Sequence, residues 1–241
     1  MDFFSVKITI GYLIDIEERH GFCMDILNII KQLAEGLLVS MMLFATTLII
    51  ALPLGLGISF MRMSKNKFVQ AIAKVYISIM RGTPLMLQLM VLFFAPSLIF
   101  GISTSASFRY VAVIIGFGIN YAAYFAEIYR AGIEAIPVGQ YEAASVLGYT
   151  KGQTFRRIIF PQVIKRIIPP VTNEVITLVK DTSLAYVIAV AEMFTVAKQI
   201  VAAKGTIIPF LVAAVFYYIF NVVVAWIMSR IEKKLSYYTI K

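Results

Sequence analysis

The chain has 241 residues, of which 60% are hydrophobic and only 15% are charged, and its formal net charge is +9. A soluble domain is nearer half apolar and a quarter charged, so this composition indicates a membrane protein built as one compact bundle rather than as two domains. The basic residues lie in short loops between apolar segments, which favours a role in membrane orientation and argues against a nucleic-acid partner.

Residues 1–32 form a slightly acidic segment of mixed polar and apolar residues before the first long apolar segment. This segment either lies along the external membrane surface or forms a loosely ordered tail. Its opening residues, MDFFSVKITI, lack the basic-then-apolar order of a cleavable signal peptide, so we expect the first span to direct insertion. The chain has one cysteine, Cys23, and one histidine, His20, which excludes an internal disulfide and argues against a metal site built from these residues.

Residues 33–241 are predicted to form a single all-α transmembrane domain of five spans. About 20 apolar residues suffice to cross the hydrocarbon. The predicted spans, in chain order, are 36–61, 68–100, 110–126, 167–191 and 205–229. The second is too long to be straight, so Pro84 is expected to kink or restart it. The loop RMSKNK (62–67) and the tail are basic, which places the N-terminus outside and the C-terminus in the cytoplasm.

A polar and basic segment, residues 137–162, interrupts this apolar chain on the predicted cytoplasmic side. Pro137 is expected to end the preceding helix, and Gly148 to stop a short helix over 140–147. A second helical piece is predicted to end near Pro161. The segment suits docking, because Ala143 and Ala144 offer a small face and Glu142 can pair with a cation of a partner. From the residues alone, an ordinary amphipathic connecting helix is the alternative.

The fourth predicted span carries charged residues, which are costly inside a membrane and usually face a water-filled route or a bundle interior. Glu174 and Asp181 are seven residues apart, nearly two helical turns, and Thr177 lies between them on the same face. They either line the route and attract the cationic groups of an amino acid, or only neutralise neighbours such as Lys180 and hold the bundle together.

Polar residues also recur on the third span, where Asn120, Tyr124 and Glu127 follow helical spacing. They either line the same cavity and cap a cytoplasmic gate, or make interhelical contacts. Gln88, on the second span, is a weaker candidate for the pathway.

The segment 137–162 resembles the "EAA" motif of ABC importer permeases. Glu142, Ala143 and Ala144 are followed after three residues by Gly148, and after nine more by IIFP (158–161), with phenylalanine where the family usually has leucine. RGTPLMLQL (81–89), INYAAYFAEIYRAGIEAIPVGQ (119–140) and NEVITLVKDTSLAYVI (173–188) are similar to the polar amino-acid uptake branch. That branch includes permeases for histidine, glutamine, glutamate, arginine, cystine and opines.

The resemblance covers about residue 33 to the C-terminus and implies a five-span type I ABC importer fold in the bacterial inner membrane. It implies that residues 137–162, called the coupling segment below, dock into a cleft of a cytoplasmic ATPase subunit, and that two such subunits carry ATP and Mg²⁺. It also implies a second permease, identical or homologous, an extracytoplasmic amino-acid-binding protein and contact with membrane lipid. By the same resemblance the N-E…K-D-T-S-L block lies near the substrate cavity.

The sequence has no G-x-x-x-x-G-K-[ST] phosphate loop, so we expect the chain to bind no cofactor and to be no enzyme, with ATP hydrolysis supplied by a separate subunit. An ion-driven secondary carrier is the alternative function, although such carriers usually show internal repeats and more spans. An intramembrane enzyme would need a pair such as serine and histidine or two aspartates at membrane depth, and Asp181 is the one aspartate in a predicted span. Which amino acid is carried is left open.

Overall fold

Every regular element described by the computed structural model, in residues 3–102, 105 and 107–235, is a helix. In chain order these are α1 (Phe3–Arg62), α2 (Lys67–Gly82), α3 (Leu85–Phe100), α4 (Phe108–Glu134), α5 (Val138–Val146), α6 (Lys151–Thr154), a π-helical turn (Phe155–Ile159), α7 (Phe160–Asp181), a 3₁₀ helix (Thr182–Ile188), α8 (Met193–Lys204) and α9 (Ile208–Leu235). The predicted all-α fold class is therefore confirmed.

Three stretches are long and apolar enough to cross a membrane: Asp25–Arg62 of α1, all of α4 and all of α9. Two further pairs of helices, each bent at a short break, are apolar enough to count as one more span per pair. The axes of α2 and α3 meet at 105°, and Lys151–Ile188 meets α8 at 54°. The described residues thus hold 3 spans, or up to 5 if each bent pair crosses once. The count of five stays a prediction, as does the orientation of the termini.

The long helices α1 and α4 pack closely because glycines leave room for the neighbouring backbone. A Cβ on Gly55 would lie 2.9 Å from the carbonyl oxygen of Ala122, and a Cβ on Gly118 would lie 3.0 Å from Cγ2 of Ile50. Later residues of α1 therefore meet later residues of α4. The two helices run parallel, and their C-terminal ends lie at the same end of the bundle.

The predicted boundary at residue 32 is not a break in the backbone, because α1 runs through it. Ile29 and Leu33 are buried together with Ala197 of α8 and Ala213 of α9. This end of the predicted N-terminal segment is therefore part of the packed bundle. Residues 1–2 and the side chains of residues 3–24 lie outside the described part of the chain, so the surface position of that segment remains a prediction.

The break expected at Pro84 is confirmed and separates two helices. Gly82 ends α2, Thr83 is extended at φ −120° and ψ 147°, and Pro84 is the N-cap of α3. A proline disfavours helical geometry in the residue before it, which explains why the chain turns at Thr83. The bend brings Thr83 and Pro84 next to α4 and α7, where both residues line a cavity and remain exposed.

The prediction that a helical piece ends near Pro161 is wrong. Pro161 lies in the first turn of α7, where its missing N–H costs nothing, and the helix continues to Asp181. The basic part of the coupling segment is therefore continuous with the helix that carries the predicted pathway residues.

Candidate functional site

The coupling segment begins with a short helix that has defined stops at both ends. Pro137 is the N-cap of α5, and Gly148 follows its C-cap with φ +76°. The N–H of Tyr149 bonds to the carbonyl of Ala144 at 3.1 Å, and the N–H of Gly148 to that of Ser145 at 3.0 Å. This pattern requires a left-handed residue, which glycine adopts without strain. The predicted short helix and its stop at Gly148 are thus present.

The turn after Gly148 enters α6 through a capping box. The side chain of Thr150 accepts a hydrogen bond from the N–H of Gln153, and the Gln153 side chain accepts one from the N–H of Thr150 at 2.9 Å. The sequence TKGQ carries this signal, which our sequence analysis missed. Both capping pairs fix the path of the chain between α5 and α7.

The coupling segment presents an exposed face on a rigid base. Glu142 and Ala143 are exposed, whereas Ala144 is 1% exposed, so the two alanines do not share the docking face that we expected. Val146 and Leu147 are instead the large apolar residues of this face, at 88% and 73% exposure. An exposed apolar patch beside a carboxylate is typical of a protein-binding surface.

The base of the coupling segment is anchored to the end of α4. Ile136, Ile159 and Val163 are buried in one apolar cluster. A Cβ on Gly132 would lie 2.2 Å from Cγ2 of Ile167, so α4 and α7 touch here through a glycine. A movement of the segment must therefore move the ends of both helices.

Between α4, α7 and the bend after α2 lies a cavity of about 280 Å³, called the acidic cavity below. Its lining residues are Thr83, Pro84, Leu85, Asn120, Tyr121, Tyr124, Glu174, Thr177, Asp181 and Leu184. Four predicted pathway residues, Asn120, Glu174, Thr177 and Asp181, therefore meet at one site. The seven-residue spacing brings the two carboxylates to one face of α7, as expected. Their role in transport stays a prediction.

Hydrogen bonds hold the wall of the acidic cavity. The Tyr121 hydroxyl donates to Oδ2 of Asp181 at 2.7 Å. Asn120 Nδ2 donates to the carbonyl of Met80 and to Oε1 of Gln88, both at 3.0 Å. Gln88, predicted to line the pathway, is not among the lining residues. It lies one layer behind them and supports Asn120.

Gln88 also fixes the bend that closes the cavity. Its two Nε2 hydrogens are shared among three acceptors: Oγ1 of Thr83 at 2.7 Å, the carbonyl of Thr83 at 3.2 Å and that of Met80 at 3.1 Å. The last carbonyls of α2 have no partner within the helix, and Gln88 bonds to that of Met80 together with Asn120. Gln88 therefore holds the end of α2 against the start of α3.

A second cavity of about 520 Å³ lies next to the acidic cavity on the side of the coupling segment. Its charged lining residues are Arg81, Glu127, Lys165, Arg166 and Glu174. Tyr124 and Glu174 line both cavities. The guanidinium carbon of Arg81 lies 5.2 Å from the centroid of the Tyr124 ring, within cation–π distance. This pair stands at the partition between the two cavities.

The predicted gate residue Glu127 lies one turn beyond Tyr124 and is held by ion pairs. Arg130 pairs with both Glu127 and Glu134 along the same face of α4. Glu127 therefore lines the second cavity rather than the acidic one. These two ion pairs, of Arg130 with Glu127 and with Glu134, stabilise the last turns of α4, directly before the coupling segment.

Sequence reasoning missed Tyr121, Arg81 and Glu192. Arg81 carries a signal, because a cation within a long apolar stretch is a functional candidate by default. Tyr121 and Glu192 show no such signal in the sequence, because the residues that they bond to are far away along the chain.

Glu192 is fully buried beside the break between the 3₁₀ helix and α8. Its carboxylate accepts hydrogen bonds from the N–H groups of Phe194 and Thr195, both at 2.7 Å, and from the Tyr217 hydroxyl at 3.0 Å. Ser40 lies 3.5 Å from its Oε2. Glu192 thus joins α1, α8 and α9.

Residues 51–237 match the family described as "binding-protein-dependent transport system inner membrane component". The chain belongs to this family. The permease is 35% identical over 205 residues to the putative glutamine transport system permease protein GlnP of Rickettsia conorii, covering 84% of this chain and 92% of that protein. It is 40% identical over 212 residues to the probable amino-acid ABC transporter permease protein YckA of Bacillus subtilis, covering 87% and 90% respectively.

Solved structures agree with this assignment. The crystal structure of an amino acid ABC transporter with histidines matches with a TM-score of 0.80 and 31% identity, covering 88% of the permease and 97% of that chain. The MetNI methionine ABC transporter in an inward facing conformation matches with a TM-score of 0.66 at 18% identity, which shows the fold alone. The permease is thus a multi-pass inner membrane protein with the type I ABC permease fold, and its resemblance to amino-acid permeases is confirmed.

Proposed function

We propose that the permease is one of two membrane subunits of an ATP-driven importer for polar amino acids, and that its coupling segment transmits the movement of cytoplasmic ATPase subunits. One observation carries this proposal: α7 is a single helix of 22 residues that starts within the coupling segment and ends at Asp181 in the acidic cavity. At 1.5 Å per residue it spans about 33 Å, so one helix connects the coupling segment directly to the acidic cavity.

The energy source in this proposal lies outside the permease. Glu142, Ala143 and the apolar residues Val146 and Leu147 contact the ATPase, while Ala144, Gly148 and Pro161 shape the segment from within. ATP and Mg²⁺ bind to two ATPase subunits, and ATP binding draws these subunits together. The bases of α4 and α7 then move, and the acidic cavity changes the side to which it opens.

The substrate in this proposal is an amino acid, delivered from outside by a binding protein. Glu174 and Asp181 attract its ammonium or side-chain cation, and Asn120 and Thr177 offer hydrogen bonds to its polar groups. Gln88 keeps Asn120 in place. The names of the relatives support an amino acid, and two carboxylates in one cavity favour a cationic or zwitterionic one.

The topology that fits this function has five spans, with the N-terminus outside and the C-terminus in the cytoplasm. It places the basic loop 62–67, the coupling segment and the basic end of α9 on the cytoplasmic side. Residues 33–241 form the transport domain, and residues 1–32 add an external or interfacial segment. A second permease, identical or homologous, supplies the other half of the pathway. An ion-driven carrier has no comparable support, because it needs no exposed coupling segment.

Affinity purification from the native membrane in mild detergent, followed by mass spectrometry, tests the coupling role. We expect a stoichiometric ATPase with a phosphate-binding loop to accompany the wild type. Glu142→Lys should reduce its recovery about tenfold or more, because a reversed charge then faces the partner cation. Glu232→Lys, the same charge reversal on α9, is the control and should retain the ATPase. Full recovery with Glu142→Lys would contradict the role of the segment.

A further inference from the structure

An apolar cavity of about 310 Å³ opens between α1, α2 and α4, away from both cavities described above. It is lined by Leu54, Ile58, Met61, Ile72, Ala73, Tyr76 and Ile119. The one polar side-chain atom among these residues, the Tyr76 hydroxyl, donates to the carbonyl of Ile119, so it is already paired. The cavity therefore has nothing to offer a polar ligand and suits a hydrocarbon chain.

A second apolar groove, of about 480 Å³, runs along the outer face of α2. Its lining residues are Phe68, Ala71, Ile72, Val75, Tyr76, Ile79 and Met80. Ile72 and Tyr76 belong to both linings, so they form a ridge with an apolar groove on each side. Two apolar grooves that flank one ridge suit the two acyl chains of a phospholipid.

The cavity between α1, α2 and α4 and the groove on the outer face of α2, called the first and second grooves below, both begin beside a cluster of cations. Met61 lines the first groove and Phe68 the second, and the loop that joins them, residues 62–67, holds Arg62, Lys65 and Lys67 without an acid. Among the described residues, no carboxylate lies within 4.0 Å of these cations. Arg62 also interacts electrostatically with Glu127, whereas Lys65 and Lys67 have their charges available for a phosphate group at the mouth of the grooves.

We propose that this ridge, together with the loop 62–67, is a binding site for one anionic phospholipid. Its phosphate contacts Arg62, Lys65 and Lys67, and its acyl chains occupy the grooves on either side of Ile72 and Tyr76. Basic residues at a membrane surface attract anionic lipids, and basic pockets between membrane helices bind their head groups.

A second identical copy of the chain is a poorer occupant of this surface. A two-fold contact places the same patch of each copy against itself, which would bring two groups of three cations together. An anionic lipid instead neutralises the loop. The bound lipid would hold α2 against α1 and α4, next to the bend that closes the acidic cavity.

Native mass spectrometry of the full chain in detergent tests this site with two probes, phosphatidylglycerol and phosphatidylcholine of identical acyl chains at equal concentration. The wild type should retain phosphatidylglycerol in preference. The variant K65Q/K67Q should lower that preference about tenfold or more, because each lysine contributes to the attraction. Ile72→Gln should lower the retention of both lipids, because it makes the ridge polar.

The matched control is K233Q/K234Q, which removes two exposed lysines at the end of α9. Phe44 of α1 contacts Phe220 of α9, and Leu33 clusters with Ala213, so these helices run parallel and the lysines lie at the same end of the bundle as the loop. This control should keep the preference. Equal retention of both lipids by the wild type, or an equal loss in both lysine variants, would overturn the site.

A cross-linking experiment separates the lipid from a second copy of the chain. Val75 lies in the second groove, and Cys23 is the chain's one cysteine. The variant C23S/V75C in native membranes should form no disulfide-linked dimer, because lipid covers the groove. Efficient dimer formation would show that a second copy occupies it and would overturn the proposal. Neither experiment depends on transport, so their failure would leave the importer function standing.

Discussion

The Tyr121 hydroxyl donates a hydrogen bond of 2.7 Å to Oδ2 of Asp181, and this bond ties α4 to α7 across the acidic cavity. Both residues line the cavity, so the bond sets the position of one of its two carboxylates. A hydrogen bond to a charged group contributes about 1.5–3 kcal/mol.

Tyr121→Phe should therefore weaken substrate transport and leave the fold intact. The ring remains, but Asp181 loses the partner that orients it, so we expect the KM for uptake to rise about tenfold. Uptake by the reconstituted complex measures this effect. Tyr110→Phe removes a hydroxyl from the same helix outside the cavity and serves as the control. An unchanged KM would remove Tyr121 and its bond from the pathway.

The contact between Arg81 and Tyr124 predicts a barrier between the two cavities. Tyr124→Leu removes the ring that holds Arg81, whereas Tyr124→Phe keeps it. Proteoliposomes loaded with labelled amino acid and lacking ATP should leak with the leucine variant and remain closed with phenylalanine. Equal leakage from both variants would mean that the hydroxyl, rather than the cation–π contact, maintains the barrier.

Much of the fold can be predicted from the sequence, because the thickness of a membrane sets the length of the apolar helices that cross it. The uncharged stretch 36–61 indicated a span, and Pro84 within 68–100 indicated a break, which the structure confirms. The 105° bend was not readable, because it depends on how Gln88 holds Thr83 from the next helix. The sequence does not distinguish a helix that ends near Pro161 from one that begins there, because proline is equally compatible with the first turn of a helix.

Part of the acidic cavity can also be predicted from the sequence. Helical spacing placed Glu174 and Asp181 on one face of one helix, and no knowledge of neighbouring helices was needed. Tyr121 and Glu192 were missed because their bonds cross the bundle. The bond between Ser40 and Glu192, for example, joins residues 152 positions apart.

Gly148 offers a test of the backbone geometry of the coupling segment. Its φ of +76° is strained for any residue with a Cβ, although there is open space around it. Gly148→Ala should cost about 1–2 kcal/mol in the turn and reduce ATP-driven uptake. Gly148→Asn should be milder, because asparagine tolerates this conformation better. Uptake and ATPase recovery measure the effect, and equal activity of all three proteins would show that the turn need not be left-handed.

Glu192 predicts a large effect on stability. Glu192→Ala leaves the Tyr217 hydroxyl and two backbone N–H groups without their buried acceptor, which should cost about 3 kcal/mol or more. Thermal denaturation in detergent should show a clear fall in Tm, with a smaller fall for Glu192→Gln. Glu35→Ala removes an exposed carboxylate from α1 and is the control. A Tm equal to that of the control would contradict the role of Glu192 in joining three helices.

In the proposed function, this permease imports an amino acid with energy from a separate ATPase. The most direct measurement is uptake into proteoliposomes that contain the purified complex, with the amino acid released from its co-purified binding protein as the probe. Ionophores collapse the proton and sodium gradients in a parallel sample. We predict uptake that requires ATP on the ATPase side and continues without the gradients. Uptake that proceeds without ATP and stops when the gradients collapse would contradict the account.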